Sequence, residues 1–501
     1  MKYLNQLQRG KYSLLILTIS VFMFVSSCRT IAKKKDNQST QPNIVFILSD
    51  DLGWAELGCY GNSFNETPAI DKLAKEGILF TQAYAAAPVC SPYRASLLTG
   101  QYPARVGILD YLRPNDDAPL STEHVSLAKI LKRNGYATGM VGKWHLTGYE
   151  FHGAKNEIRA TDHGFDEELV SEIKGVGNGA NFFPYVFHNQ SISWLNVKEK
   201  KLPGNEYLTD RMNFEAVEFI ERNKDRPFFL YLSHFSTHSI LNGKPELVEK
   251  YRKKHTPGKS TTEKCYLCQD QGLKGDPGNH WAGAYNPHLA AMLESIDDGV
   301  GLIMDKLEEL GLSENTIVVF TSDNGGEAPN VTSNAPLRGG KSQLYEGGIR
   351  EPLIIRWPKK IPANTKSSQF TANVDFYPTF LNATGISPDH KQKLDGISIL
   401  PVLENSEMKI ERDPFYWHYP LEKPHFLGGT SSGAIRKGNW KLIEFFVDKR
   451  LELYNLAEDI GEINDLSKEH PEIVKELYVQ LAQWRKDVKA EIPKDQNYAF
   501  Q

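Results

Sequence analysis

The sequence is poor in cysteine, with five in 501 residues, at Cys28, Cys59, Cys90, Cys265 and Cys268. That is too few for a disulfide-built scaffold, so the fold must rest on an apolar core. Charge of one sign is scarce too. A net charge of -4 carries none of the basic excess that binding to nucleic acid requires. Long hydrophobic runs are short in supply: the apolar core from Leu14 to Val25 is too short to span a bilayer comfortably. No internal repeat or low-complexity tract interrupts the globular part. What remains is ordinary for a folded protein, with 40% hydrophobic and 24% charged residues. The length allows one large domain and a smaller one.

Residues 1–28 read as an export signal: Lys2, Arg9 and Lys11 precede the apolar core. The core ends at Val25-Ser26-Ser27-Cys28, which resembles a bacterial lipobox, in which the Cys becomes the lipidated first residue. Residues 29–42, with Lys33, Lys34 and Lys35 among polar residues, read as a flexible tether. The expectation is an exported, membrane-anchored bacterial lipoprotein, periplasmic or at the outer membrane.

Four apolar runs then end in polar chemistry. Asn43 to Leu48 delivers Ser49-Asp50-Asp51, and Ala137 to Val141 releases Gly142-Lys143-Trp144-His145. Phe228 to Leu232 leads to Ser233-His234-Phe235-Ser236-Thr237-His238, and Thr316 to Thr321 ends in Ser322-Asp323-Asn324-Gly325-Gly326. Continuous apolar runs of this length suit strands buried on both faces. Helical patterns over 68–77, 125–134, 211–223 and 289–310 separate them, which predicts a largely parallel, doubly wound sheet. In such sheets ligands bind beyond the carboxyl ends of the strands, so the four polar segments predict one shared site. After residue 400 short strands at 415–417, 432–436 and 440–443, then a helix over 470–489, predict a small antiparallel unit. The expected division is a catalytic domain over 43–400 and a C-terminal subdomain over 401–501.

Asp50, Asp51, Asp323 and Asn324 offer oxygen ligands with no cysteine pair or histidine cluster beside them. Hard oxygen donors select calcium or magnesium over zinc, and several carboxylates plus an amide favour Ca²⁺. A helix entering from the turn at Pro88 would place Cys90 at its N-terminus, where free N–H groups favour an anion, with Arg94 one turn further on. Cys90 is therefore a candidate nucleophile.

Cys90-Ser91-Pro92-Tyr93-Arg94, followed by Ala95-Ser96-Leu97-Leu98-Thr99-Gly100, resembles the signature of the formylglycine-dependent sulfatases, arylsulfatase-like members of the alkaline phosphatase superfamily. Similar segments run from about residue 43 to 460. The resemblance implies a large mixed, mostly parallel sheet sandwiched by helices, with a smaller C-terminal antiparallel sheet plus helix. It implies that a maturation enzyme oxidises Cys90 to formylglycine, and that the metal set with this residue holds one Ca²⁺. The hydrated aldehyde would attack sulfur, and its second hydroxyl would expel sulfate with His145 as the base. Lys143 and His145 lie in Gly-Lys-Trp-His-Leu, similar to the second family signature. Lys341, after Leu337-Arg338-Gly339-Gly340, matches a cation that binds sulfate, while Arg338 and Arg350 read as structural. His238 matches the histidine that protonates the leaving alcohol, a role for which His234 competes. Arg94 would hold the hydrate.

The substrate this implies is a sulfated carbohydrate, a glycosaminoglycan or an algal galactan or ulvan. Phosphonate and phosphodiester hydrolases of the same superfamily and a non-catalytic glycan-binding relative are the alternatives. Trp194, Trp281, His188, His280, Lys274 and Arg159 are candidates to grip sugar. Cys265 and Cys268 read as part of a substrate-side insertion, with a labile disulfide or zinc as the competing readings.

Overall fold

The computed structural model describes residues 41–113, 116, 118–147, 157–172, 181–187, 190–191, 197, 199–254, 285–329 and 331–493. The export signal, Cys28, Cys265, Cys268, Trp194, Trp281, His188, His280 and Lys274 lie outside them.

Fifteen strands are named in chain order: β1 Asn43–Ser49, β2 Ile78–Tyr84, β3 Ala137–Lys143, β4 Glu167–Glu172, β5 Val186–Phe187, β6 Gln190–Ser191, β7 Phe228–Ser233, β8 Thr316–Ser322, β9 Arg350–Arg356, β10 Thr365–Ser367, β11 Thr371–Ala372, β12 Phe415–Tyr419, β13 Ser432–Lys437, β14 Trp440–Phe445 and β15 Leu451–Asn455. Nine form one sheet in the order β10-β2-β9-β8-β1-β7-β3-β4, with β11 paired to β2. β1 lies at the centre, parallel to both β7 and β8. Its uninterrupted apolar run is explained by burial on both faces. Ile44, Phe46 and Leu48 enter one apolar layer and Val45 and Ile47 the other. Each such side chain stabilises the fold by about 1.5–3 kcal/mol relative to exposure.

Helices cover both faces. On one side lie Pro68–Lys75, Leu208–Asn223 and Pro287–Glu309, the last through Leu293, Ile296, Val300, Ile303 and Leu307. On the other lie Cys90–Thr99, Leu127–Arg133 and Phe376–Thr384. Side-chain caps start two of them: Ser126 accepts from Lys129 N–H, and Asn286 from His288 and Leu289 N–H, ahead of Pro287. The sheet is mixed because β9 runs antiparallel to both β8 and β2. Strands β2, β4, β5, β6, β9, β10, β11 and β15 are additions to the strands read from the sequence.

The four-stranded antiparallel sheet β12-β13-β14-β15 packs under Pro471–Val488 through Leu477, Leu481, Trp484 and Val488. Gln41 to Gln501 forms one compact unit. A buried polar seam joins the two sheets. Lys441 Nζ bonds Glu346 Oε1 at 3.0 Å and Glu462 Oε1 at 2.8 Å, while Tyr84 donates to Glu346 Oε2 at 2.6 Å. Arg350 contacts Glu346 at 3.2 Å and donates to Thr81 O, and Arg338 donates to Tyr454 and to Glu462 O, so both hold the frame. Among the described residues no helix is long and apolar enough to cross a membrane.

Candidate active site

Parallel register sets the site. Ser49 pairs with Ser322, Leu48 with Ser233, and Gly142 with Ser233, so β1, β8, β7 and β3 end level. The next residues of each strand therefore meet at one edge: Asp50 and Asp51, Asp323 and Asn324, Lys143 and His145, and the segment carrying His238. Cys90 is the first residue of the Cys90–Thr99 helix, whose far end is closed by Gly100 at φ 66°. Its sulfur belongs to two groups of possible ligand atoms, Asp50–Cys90–Asp323 and Asp51–Cys90–His238, each within 4.8 Å.

Arg94, one turn along the helix, is fully buried. Its Nη2 lies 2.7 Å from Asp323 Oδ2 and 3.6 Å from Asp50 Oδ1, and its Nη1 donates to Lys143 O at 2.9 Å. The guanidinium thus fixes the acidic pair that flanks Cys90. Lys143 Nζ sits 2.6 Å from Asp50 Oδ2, and Lys341 Nζ 2.6 Å from Asp51 Oδ2. Asn324 Nδ2 donates to Asp51 Oδ1 at 2.7 Å, and Asp51 N–H to Asp323 Oδ1 at 3.1 Å. Asp51 and His145 hold φ of 59° and 53°. Left-handed backbone in side-chain-bearing residues costs of order 1–3 kcal/mol and persists only where the surroundings impose it.

The donor set fits a hard divalent cation. Asp50 Oδ1 and Asn324 Oδ1 are buried oxygens with no hydrogen-bond partner among the described residues. Burial, then repulsion from Asp323, pushes the Asp50 carboxyl well up despite the Lys143 ammonium beside it. A cation held by Asp50, Asp51, Asp323 and Asn324 would give these unpartnered oxygens a partner. The amide of Asn324 would then present its oxygen.

The thiol of Cys90 behaves differently from the local expectation of an activated sulfur. Burial pushes it up to about 12, against the pull of Lys143 and Lys341. Desolvation outweighs the helix N-terminus, so as a thiol it is a poor nucleophile at neutral pH.

The two histidine assignments separate by geometry. His238 Nε2 lies 2.9 Å from Lys341 Nζ and 3.5 Å from Asp51 Oδ2, and its Nδ1 donates to Ser239 O. His234 is buried with both nitrogens lacking a hydrogen-bond partner among the described residues, and only burial lowers it. His238 is therefore the one placed among the site's charges. Burial and the Lys341 ammonium push it down to about 3, so it is neutral before an anion arrives. His145 Nε2 donates to Leu112 O at 2.9 Å, which leaves Nδ1 unprotonated and free of partners among the described residues. Burial and then Lys143 hold it well below the usual histidine range, so the imidazole is neutral at neutral pH. Arg159, the described candidate for gripping sugar, instead pairs with Glu157 at 2.9 Å and Glu168 at 3.8 Å.

Glu327 joins the site without having been read from the sequence. It is buried, with Oε1 accepting from Ser239 Oγ at 3.0 Å and lying 3.3 Å from Lys341 Nζ. The turn after Asn324 brings it there, held where Lys341 N–H donates to Gly326 O at 3.0 Å. Its only sequence signal is an acid three residues beyond a metal-type pair. Glu327→Ala should lower kcat/KM for a sulfate ester about ten- to a hundredfold, the scale of losing bonds to a charged group. Glu327→Gln keeps both acceptor contacts and should lose less than about fivefold. Steady-state kinetics on both variants checks this, and equal losses would make the charge, rather than the contacts, decisive.

Comparison with known proteins agrees with this geometry. The family described as Sulfatase matches residues 42–386, and N-sulphoglucosamine sulphohydrolase, C-terminal, matches residues 340–487. N-acetylgalactosamine-6-sulfatase of Canis lupus familiaris is 34% identical over 403 residues, covering 75% of this chain and 68% of that protein. A sulfatase of Formosa agariphila is 30% identical over 516 residues, covering 90% and 88%. Ps i-CgsB, solved with k-i-k-neocarrahexaose, superposes with a TM-score of 0.74 at 29% identity, covering 91% of this chain and 94% of that one. With a matched family spanning most of the chain, and with its metal-type carboxylates, cations and Cys90 signature meeting at one sheet edge, the chain belongs to the sulfatase family of the alkaline phosphatase superfamily and is a sulfuric ester hydrolase.

Proposed function

We propose that this sulfatase desulfates carbohydrates, using formylglycine made from Cys90 and one Ca²⁺ held by Asp50, Asp51, Asp323 and Asn324. The observation that carries the reading is the position of Cys90, first residue of its helix, within 4.8 Å of ligand atoms from Asp50 and Asp323 on one side and Asp51 and His238 on the other. The names of the relatives, an N-acetylgalactosamine-6-sulfatase and a protein solved with a neocarrahexaose, support a sugar as the alcohol. Hydrated formylglycine supplies two hydroxyls on one carbon, one to attack sulfur and one to expel sulfate. Calcium, when bound, supplies positive charge next to the attacked ester.

The chain's own groups do the rest. Lys143 and Lys341, fixed by their aspartates, oppose the charge that spreads over the sulfate oxygens. Arg94 keeps Asp323 and Asp50 in place beside Cys90. The negative charge of a bound ester favours the protonated imidazole of His238, which then gives its proton to the departing alcohol oxygen. His145 Nδ1, left unprotonated by the Nε2 bond to Leu112 O, would accept the proton of the second hydroxyl.

The test is turnover of 4-nitrophenyl sulfate against bis(4-nitrophenyl) phosphate, with sulfate release from a panel of sulfated glycans in parallel. Protein co-expressed with a maturation enzyme should favour the sulfate ester by at least about a hundredfold, a difference of some 2.7 kcal/mol in barrier. A preference for the phosphodiester would overturn the reaction class. Sulfate release from no glycan would overturn the substrate class.

A further inference from the structure

Two loops beside the site carry side chains that the chemistry above does not use. Residues 110–113 are pinned beside the nucleophile position. Leu112 N–H donates to Ser91 Oγ at 3.0 Å, next to Cys90, and Leu112 O accepts from His145 at 2.9 Å. Residues 425–429 come from the C-terminal unit and form a tight turn. His425 N–H donates to Gly429 O at 2.8 Å, and Gly428 N–H to His425 O at 2.9 Å. Gly429 packs so closely that a Cβ would fall 2.0 Å from the carbonyl oxygen of Ser342, the residue after Lys341. One loop is thus fastened to the Cys90 side of the site and the other to the Lys341 side.

The loops meet through rings. Tyr111 and His425 lie edge to face at 5.6 Å, and Phe426 stacks on His425 at 4.5 Å and 25°. Phe426 is 72% exposed. Arg113 lies over the Tyr111 ring at 4.1 Å, and its Nη2 is held by Asp110 Oδ2 at 2.6 Å. Asp110 is itself anchored by Tyr419, which donates to Oδ1 at 3.2 Å. After burial, the charges of Lys341 and then Arg113 are what hold His425 down to about 4, in keeping with its place between centre and rim.

A single exposed phenylalanine is ordinary on a protein surface. This one stacks on His425, in a turn fastened to the residue after Lys341, and the His425–Tyr111 ring pair links it to a guanidinium that is oriented from two sides. We infer that residues 110–113 and 425–426 form a subsite for a second sugar ring, the neighbour of the sulfated one. Phe426 offers a flat apolar face to the C–H face of a pyranose. Arg113, oriented by Asp110 and Tyr111, retains donors for an acceptor oxygen of that ring, whether hydroxyl or acidic substituent. This rests on the carbohydrate reading above and adds to it that the enzyme recognises oligosaccharides rather than isolated sulfated monosaccharides.

Calorimetric binding tests it on the full chain, with turnover of 4-nitrophenyl sulfate measured separately. The probes are N-acetylgalactosamine 6-sulfate and three hexasaccharides: one from carrageenan, one from chondroitin 6-sulfate and one neutral. At least one sulfated hexasaccharide should bind tenfold or more tightly than the monosaccharide. Phe426→Ala and Arg113→Gln should each remove most of that advantage, and Phe426→Trp should keep it. If the Arg113→Gln loss is confined to the chondroitin probe, with its carboxylates, the acceptor is an acidic group; if it appears with carrageenan or the neutral probe, a hydroxyl also serves. No hexasaccharide advantage in the wild type, or an advantage kept in Phe426→Ala, would overturn the subsite. A binding advantage without sulfate release would instead count against the proposed reaction and leave the subsite standing.

Discussion

Asp323→Ala will leave the protein nearly without bound calcium and will lower turnover of any sulfate ester by more than about a thousandfold, since even partners behind a metal's ligands are worth 10–100-fold. The size follows from the two tasks of one carboxylate. Asp323 takes the Arg94 guanidinium at 2.7 Å through Oδ2 and the Asp51 N–H at 3.1 Å through Oδ1, and it is one of three acids in the metal-type set. Its removal leaves Arg94 fully buried with only Asp50, 3.6 Å away, as an acidic partner. Breaking a buried pair by deleting one member costs about 3–5 kcal/mol, so the alanine variant will also be less stable. Asp323→Asn separates the effects, because it keeps the shape and an acceptor oxygen while halving neither size nor packing. It should melt closer to wild type than Asp323→Ala and still hold markedly less calcium, measured by atomic emission after dialysis. Full occupancy and activity in either variant would show that the ligands are assigned wrongly.

The second large effect concerns Cys90. Mass spectrometry of the peptide spanning Cys90, from protein made with a maturation enzyme, will show an aldehyde in place of the thiol. Cys90→Ala will lose at least about a thousandfold in kcat, the scale on which removal of a nucleophile is felt. The physical ground is that the unmodified sulfur is badly suited to attack. Burial pushes the thiol up to about 12, and Asp50 and Asp323 repel a negative charge beside it. A neutral hydrated aldehyde would not meet the same obstacle, because its hydroxyl would lose its proton as it attacks and need not sit there as a free anion. An active preparation carrying only the thiol would sink this mechanism.

The candidate site residues and the strands that carry them were legible in the chain before it folded. Asp50–Asp51, Lys143–His145, His238 and Asp323–Asn324 were legible because each follows an apolar run, and parallel strands of equal register deliver their next residues to a common edge. The Cys90 signature was legible because it is contiguous: helix start, nucleophile position and Arg94 lie within one turn and a half of chain. Pairings between distant loops and edge strands carry no such local mark. Strand β9 has an apolar run like its neighbours, and only its packing between β8 and β2 made it antiparallel. His234 and His238 are equally plausible in sequence. The chain after Ser233 buried one away from every charge and set the other 2.9 Å from Lys341. Glu327 reached Lys341 because the Gly326 turn folds back, and Tyr111 met His425, far along the chain, because the C-terminal sheet packs in one apolar cluster with Val89 and Leu344. Such contacts are decided by which surfaces exclude water together, a property of the whole core that no short stretch of residues encodes.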